Sequence, residues 1–374
     1  MTPRLHCARL TLTDFRSHAA LDLELDARPV CLHGPNGAGK TNILEALTML
    51  APGRGLRGAG LMDVARGGVD GAAQRPRPWT ISARMVADGE TLALGVGAER
   101  TEAGVRRIAR IDGRAATASD LARAARLSWL TPAMDRLFAG AAGDRRRFFD
   151  RLVLGRAPEH GQTAAAYERA MRERQRLLNE EVGDAAWLHA LEREMAANGC
   201  AMAAARLETL ERLRDTIAQR PDGAFPKANI ALEGALEAAF AEGRASADIE
   251  DDFLETLLRG RARDAKAGRT LEGPHRSDLL VRHAPKDMPA DQCSTGEQKA
   301  LLLGLILAHG RALADDPGAG PALLLRDEAA AHLDPARRAA LYEELLALPG
   351  QAWLTGTEIG LFEAFGARAQ MVAV

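Results

Sequence analysis

Residues 30–50 read VCLHGPNGAGKTNILEALTML, and within them Gly34, Gly39, Lys40 and Thr41 keep the spacing G-x-x-x-x-G-K-[ST]. That spacing is a polyphosphate cradle. The glycines let successive backbone N–H groups of Gly34, Pro35, Asn36, Gly37, Ala38 and Gly39 (Pro35 excepted, having none) turn inward toward an anion. Lys40 would reach the β and γ oxygens, and the Thr41 hydroxyl would ligate Mg²⁺. The flanks agree with this chemistry. Val30–Leu32 is an apolar strand end, while Ile43, Leu44, Leu47 and Leu50 recur at helical spacing, so a helix N-terminus faces the anion. The stretch implies a nucleoside-triphosphate site.

A second half of such a site lies far downstream in residues 321–335, PALLLRDEAAAHLDP. An apolar strand at 322–325 ends in Asp327 and Glu328. A carboxylate at a buried strand end opposite a phosphate loop holds Mg²⁺ through water, and a second acid beside it orients or deprotonates the attacking water. Thr41 and Asp327 are therefore the expected metal-side pair, and Lys40 and Glu328 the expected catalytic pair. Arg326 interrupts the apolar strand, and alternation is expected to turn it away from the core. Upstream, CSTGEQK at 293–299 precedes a very apolar helix. Ser294 and Gly296 thus form another anion-ready helix start. A chain that already has its own phosphate loop would use it on the γ-phosphate held by a neighbouring subunit. The order of loop, S-x-G-x-Q-like turn, D-E strand end and L-D is that of an ABC-type ATPase head.

These residues need elements to position them. Residues 1–130 read as β-rich: Leu10, Leu12 and Phe15 belong to one strand, and Leu21, Leu23 and Leu25 alternate with Asp22, Glu24 and Asp26. The pattern continues through 79–86, 91–96 and 106–111. From Asp144, read as a helix cap, the period changes. A helical region spans 162–220, broken at Gly183–Asp184, where Asp184 caps the next helix. At 1.5 Å per residue that second helix would reach roughly 50 Å, a stub beside the arm of a chromosome-tethering ATPase. After Leu271 the nucleotide-binding pattern resumes. The expected fold is α/β: an ABC-type P-loop ATPase lobe from residues 1–130 and 271–374, with a helical lobe at 131–270 inserted.

Length and composition set the frame. The chain has 374 residues, 47% of them hydrophobic, enough for two cored lobes. No run approaches a bilayer span, and the first residues are charged where a leader would be apolar. Cys7, Cys31, Cys200 and Cys293 lack metal-type spacing and read as reduced thiols, so a cytoplasmic location is expected. Charge is uneven. Residues 100–160 hold 13 arginines against 7 acids and 233–264 hold 4 against 9, a polarity that permits a nucleic-acid face. Within the basic stretch, Arg145, Arg146, Arg147 and Arg151 are candidate phosphate contacts, setting affinity without reading sequence. At least one of Arg145–Arg147 is expected to make an ordinary salt bridge.

The pieces together resemble the RecF family, bacterial DNA-repair members of the SMC/ABC-type ATPases, over essentially the whole chain. The resemblance is carried by LTDFRSH at 12–18, GPNGAGKTNILEAL at 34–47, GRGLR at 53–57, DRRRFFD at 144–150, GPHRSDL at 273–279, STGEQKALL at 294–302 and the Asp327–Glu328 strand. It implies ATP sandwiched between the phosphate loop of one protomer and Ser294–Gly296 of another, an ATP-dependent homodimer and slow hydrolysis. It also implies binding to double-stranded DNA near single-strand gaps. Partners would be RecR and RecO, and through them RecA, in gap repair, replication-fork recovery and the SOS response. Asp334 is expected at the dimer seam or as the cap before Pro335. His275, Arg276, Arg57 and Arg16 are further candidates, and Trp129, Trp187 and the methionines are read as core.

Several residues depart from the family pattern. Glu297 stands where the signature usually has Gln, and Ala133 and Met134 follow Pro132 where relatives carry acids. The loop offers no Gln as a metal-side ligand, and residues 352–357 end in Thr355 and Thr357 with no switch histidine. The rival reading, an energy-coupling ATPase subunit of a membrane transporter, needs both of those groups and a groove for a coupling helix. A nuclease-associated SMC relative would need long arms or a metal-carboxylate nuclease domain.

Overall fold

The computed structural model describes residues 5–67, 78–101, 104–180, 184–328 and 333–374. The chain divides into two compact units, Met1–Asp135 with Asp222–Phe225 and Leu302–Val374, and Arg136–Pro221 with Pro226–Leu301. Residues 271–301, placed with the ATPase lobe by the sequence pattern, fall in the second unit. The strand Asp278–His283 pairs antiparallel with Ala228–Glu233, which sews that segment into it.

The first unit holds two sheets. One is antiparallel and six-stranded, in the order His18–Glu24, His6–Phe15, Thr80–Ala87, Glu90–Thr101, Gly104–Ile111 and Arg114–Ala115. A register shift between Cys7 and Arg9 lets Cys7 and Leu10 both point inward although they are an odd number apart. The other sheet is parallel: Gln370–Ala373, Val30–His33, Ala352–Gly356, Leu323–Arg326 and Leu127–Leu130. Its central strands are buried at every position except half-buried His33, as strands covered on both faces must be. The helix Lys40–Thr48 lays Ile43, Leu44 and Leu47 into the shared core with Leu10, Leu12, Ile81 and Trp353. Arg326 does not turn outward. A strand flanked on both sides has no wet face, and Arg326 is 7% exposed, with loss of water lowering its pKa against the attraction of Asp135.

The second unit is mainly helical, with Ala142–Arg156, His160–Asn179, Ala185–Gln219 and Ser246–Ala267 as its long elements. Asp184 caps the third of these as expected, accepting from the N–H groups of Ala186 and Trp187; Gly183 lies outside the described residues. At 35 residues that helix is roughly 52 Å long. The helix Ala142–Arg156 starts earlier than expected. Ala141 holds the cap position, and Asp144 sits in the first turn, paired with Arg147. Tyr167, Met195, Met202, Ile249 and Phe253 form the core. Trp129 is buried, but Trp187 is 44% exposed, because it lies in the first turn of its helix beside the Arg176 guanidinium.

Two buried arginines bind the helices of this unit. Arg174 donates to Glu192, Asp264 and the Leu257 carbonyl, and Arg206 to Asp150, Glu237 and the Pro274 carbonyl. Among the described residues no helix is long and apolar enough to cross a membrane.

Candidate functional site

The strand Val30–His33 runs into the loop 34–39, which opens the helix Lys40–Thr48. Two glycines are required by the backbone. Gly34, at φ +149°, has the Val374 carbonyl where a Cβ would stand; Gly39, at φ +106°, has the His18 ring and Ser17 hydroxyl there. Ala38 donates its N–H to Pro35 O, tightening the loop. Lys40 is buried, and its Nζ donates to the carbonyls of Gly34 (2.7 Å) and Pro35 (2.8 Å). The ammonium is thereby held along the inner rim of the loop. A cleft of about 690 Å³ opens beside it, lined by Asn36, Gly37, Gly39, Lys40 and Thr41, by Asp327 and Glu328, and by Thr355–Thr357.

Across that cleft the two expected halves of the site meet. Thr41 Oγ1 donates to Asp327 Oδ1 at 2.9 Å. A hydroxyl and a carboxylate side by side at the foot of a phosphate loop are the hard oxygen donors Mg²⁺ takes, and the cradle of N–H groups fits a triphosphate. Thr355 was legible only as a strand-end threonine where a histidine was sought. Its buried hydroxyl donates to Asp327 Oδ1 at 2.7 Å and accepts the Glu328 N–H at 2.7 Å. Glu328 has φ +52°, the left-handed region, and its side chain is exposed. One hydroxyl therefore fixes the first acid and the backbone of the second.

Arg57 adds a basic group to the cleft. Glu45, on the phosphate-loop helix and fully buried, accepts from Arg16 (2.9 and 2.7 Å) and from Arg57 (2.9 Å). Arg57 also donates to Asn42 Oδ1 and lines the cleft. Both arginines belong to the recurring sequence pieces, but the buried acid that aims them was missed: an isolated Glu in an apolar helix gives no local signal.

Ser294 and Gly296 belong to the second unit and are exposed at the start of the helix Thr295–Asp315. Ser294 donates both its N–H (3.0 Å) and its hydroxyl (2.9 Å) to Glu297 Oε2, and the Glu297 N–H returns to Ser294 Oγ, a reciprocal cap. Lys286 pairs with Glu297, and that contact, followed by the two from Ser294, holds the Glu297 carboxyl down at about 2. Asp334 caps the helix Pro335–Ala347, accepting the Arg337 N–H at 2.9 Å, and is not among the residues lining the cleft. His332 lies outside the described residues.

The four candidate arginines separate. Arg145 grips Asp278 with two hydrogen bonds (2.9 and 2.5 Å) and caps the carbonyls of Phe138 and Gly140, so it is the structural salt bridge. Arg151 is half-buried over the Phe148 ring, and loss of water pushes it down to about 10. Both are engaged by partners within the fold. Arg146 donates to Ser277 O, and Arg147 is exposed beside Asp144. His275 is turned inward: Nε2 donates to Thr270 O, leaving Nδ1 to accept the Tyr167 hydroxyl, and burial lowers its pKa.

The sheet order, phosphate loop and acid-ended strand define the chain as an ABC-type P-loop ATPase head of the SMC class. A family model for the RecF/RecN/SMC N-terminal domain matches residues 6–352. A DNA replication and repair protein RecF from Rhizobium meliloti is 50% identical over 100% of this chain and 98% of its own length. One from Brucella suis is 50% identical over 99% and 95%. The chain belongs to the RecF family. Among solved structures it is similar to a recombination mediator protein RecF of the RecFOR pathway bound to ATP, at TM-score 0.80 and 19% identity, covering 95% of this chain and 92% of that one. An SMC head domain from Pyrococcus furiosus follows at TM-score 0.52 and 17% identity, over 99% and 93%.

Proposed function

We propose that this chain is an Mg²⁺- and ATP-dependent DNA-binding ATPase of recombinational gap repair, dimerising on ATP and helping RecR and RecO place RecA on gapped DNA. The observation that carries this reading is the contact of Thr41 with Asp327 inside one cleft, in a chain of the RecF family. The loop amides and Lys40 bind the triphosphate, and Lys40 exchanges its two loop carbonyls for phosphate oxygens. Thr41 and Asp327 would hold Mg²⁺, which when bound would supply positive charge to offset that of the triphosphate. Glu328 orients the attacking water and accepts its proton. Thr355 keeps both acids in place.

Ser294 and Gly296 of a second copy close over the γ-phosphate. For this the Ser294 hydroxyl must leave Glu297, so nucleotide-driven closure competes with a helix cap, which favours a slow switch over a fast turnover enzyme. Asp334, beside the acid strand in sequence, couples the two sites. The closed dimer presents a continuous basic face to duplex DNA, and hydrolysis releases it.

Sedimentation of the purified protein with a non-hydrolysable ATP analogue and Mg²⁺, with and without gapped duplex, tests the reading. A nucleotide-dependent dimer that binds the duplex is expected. A monomer indifferent to both would overturn it.

A further inference from the structure

The turn Pro274–Arg276 is pinned from within, with Pro274 buried and Arg276 exposed. His275 is tied to Tyr167 and Thr270, and Arg206, 1% exposed, donates to Pro274 O at 2.7 Å. Arg146 donates to Ser277 O at 2.9 Å, which sets its guanidinium against the residue following Arg276. A methyl placed on Gly143 would stand 3.6 Å from both Arg146 Nη2 and Arg147 Nη1, so those two guanidiniums flank one glycine.

The acids nearby are already committed. Asp278 holds Arg145, Asp150 is shared by Arg206 and His160, and Asp144 meets Arg147 in an exposed pair. Among the described residues neither Arg146 nor exposed Arg276 has a carboxylate partner. Loss of water and then the field of Arg206 lower the pKa of Arg146, with Arg147 and Arg276 adding to it and Asp150 opposing. Positive groups held together by the fold without matching negative ones call for an anion. Arg147 and Arg276 are exposed and Arg146 is half-buried, a spread arrangement where a single small phosphate would need a closed pocket. The Arg147 pair, with 74% of its Arg side chain exposed, is weak enough for a phosphate to displace Asp144.

We propose that Arg146, Arg147 and Arg276 form a contact patch on the second unit for the phosphate backbone of duplex DNA. The proposal rests on the DNA-binding reading above and assigns that face to particular residues. Arg146 is the fixed member, and Arg147 and Arg276 are the arms that reach outward.

The test uses the full chain with a non-hydrolysable ATP analogue, Mg²⁺ and a fluorescent duplex, titrated across a salt series. The double variant Arg147→Ala, Arg276→Ala is expected to bind roughly tenfold more weakly at low salt and to lose about two from the slope of log affinity against log salt. Its nucleotide-dependent sedimentation should stay that of the wild type, which shows that it folds. Arg259→Ala, removing an equally exposed arginine from another helix, should leave affinity and slope alone. A double variant with wild-type affinity and slope would overturn the patch while leaving the DNA-binding reading standing, and so would an equal loss in Arg259→Ala. Displacement of the duplex by inorganic phosphate beyond that by chloride at equal ionic strength would assign the site to free phosphate instead. A wild-type protein that binds no duplex would bring down both.

Discussion

The Thr355 hydroxyl donates to Asp327 at 2.7 Å while accepting the N–H of Glu328 at the same distance. Thr355 is the fourth residue of its strand and Asp327 follows the end of the neighbouring one, and the two strands pair in parallel with Leu354 opposite Arg326. That register brings the hydroxyl to the carboxylate. A single oxygen then holds the acid expected on Mg²⁺ and the backbone from which the second acid projects, at a φ only a tight anchor sustains.

Thr355→Val keeps the shape and removes the oxygen. It leaves the Glu328 N–H without its acceptor and Asp327 with one donor fewer, a stability loss of about 1–3 kcal/mol. Nucleotide affinity should be retained and single-turnover hydrolysis should fall at least about tenfold, with Thr355→Ser restoring most of it. Wild-type turnover in the valine variant would show that Thr355 positions nothing.

Lys40→Met should abolish nucleotide binding, because no other cation lies along the inner rim of the loop among the residues lining the cleft except Arg57, which Glu45 and Asn42 hold. Glu328→Gln should bind normally and accumulate as an ATP-bound dimer. Calorimetry reads the first and sedimentation the second. A monomeric Glu328→Gln protein in saturating ATP would contradict the sandwich.

Glu297 keeps a full negative charge at neutral pH beside the Ser294 hydroxyl. Glu297→Gln removes that charge and retains a cap, so the ATP-dependent dimer should tighten several-fold. Lys286→Ala, which strips the balancing cation, should loosen it. Sedimentation equilibrium over a concentration series separates the two, and equal dissociation constants for wild type and both variants would mean the pair does not face a phosphate.

Asp150 gives the second unit an acid limb. Burial would raise its carboxyl, but hydrogen bonds from His160 and Arg206 bring it down to about 2 from 3.8. A depressed folded value means stability present above pH 4 and lost as pH falls from about 4 to 2, roughly 2 kcal/mol in all. Urea unfolding across that window should show the loss, and Asp150→Asn should flatten it.

Arg206→Met should cost about 3–5 kcal/mol, since it leaves buried Glu237 without its cation and Asp150 with His160 alone. Thermal unfolding checks this. A melting temperature unchanged from wild type would mean that water reaches both acids.

Much of this protein is local. The phosphate loop is one run of residues whose chemistry depends on its own backbone, so Gly34 to Thr41 could be read directly. Strand alternation at 21–26, the Asp184 cap and the length of the long helix are equally short-range, and the seven family segments fall in register along the chain. Pairings across distance belonged to the tertiary structure. Arg145 finds Asp278 across 133 residues and Thr355 finds Asp327 across 28, while Glu45 gathers Arg16 and Arg57 from two separate loops. Burial of Arg326 and exposure of Trp187 were decided the same way, by which neighbours cover each face. The physical reason is that a side chain's charge and reach are written in its own residue, but its partner and its access to water depend on strand register and helix packing, which no short stretch contains.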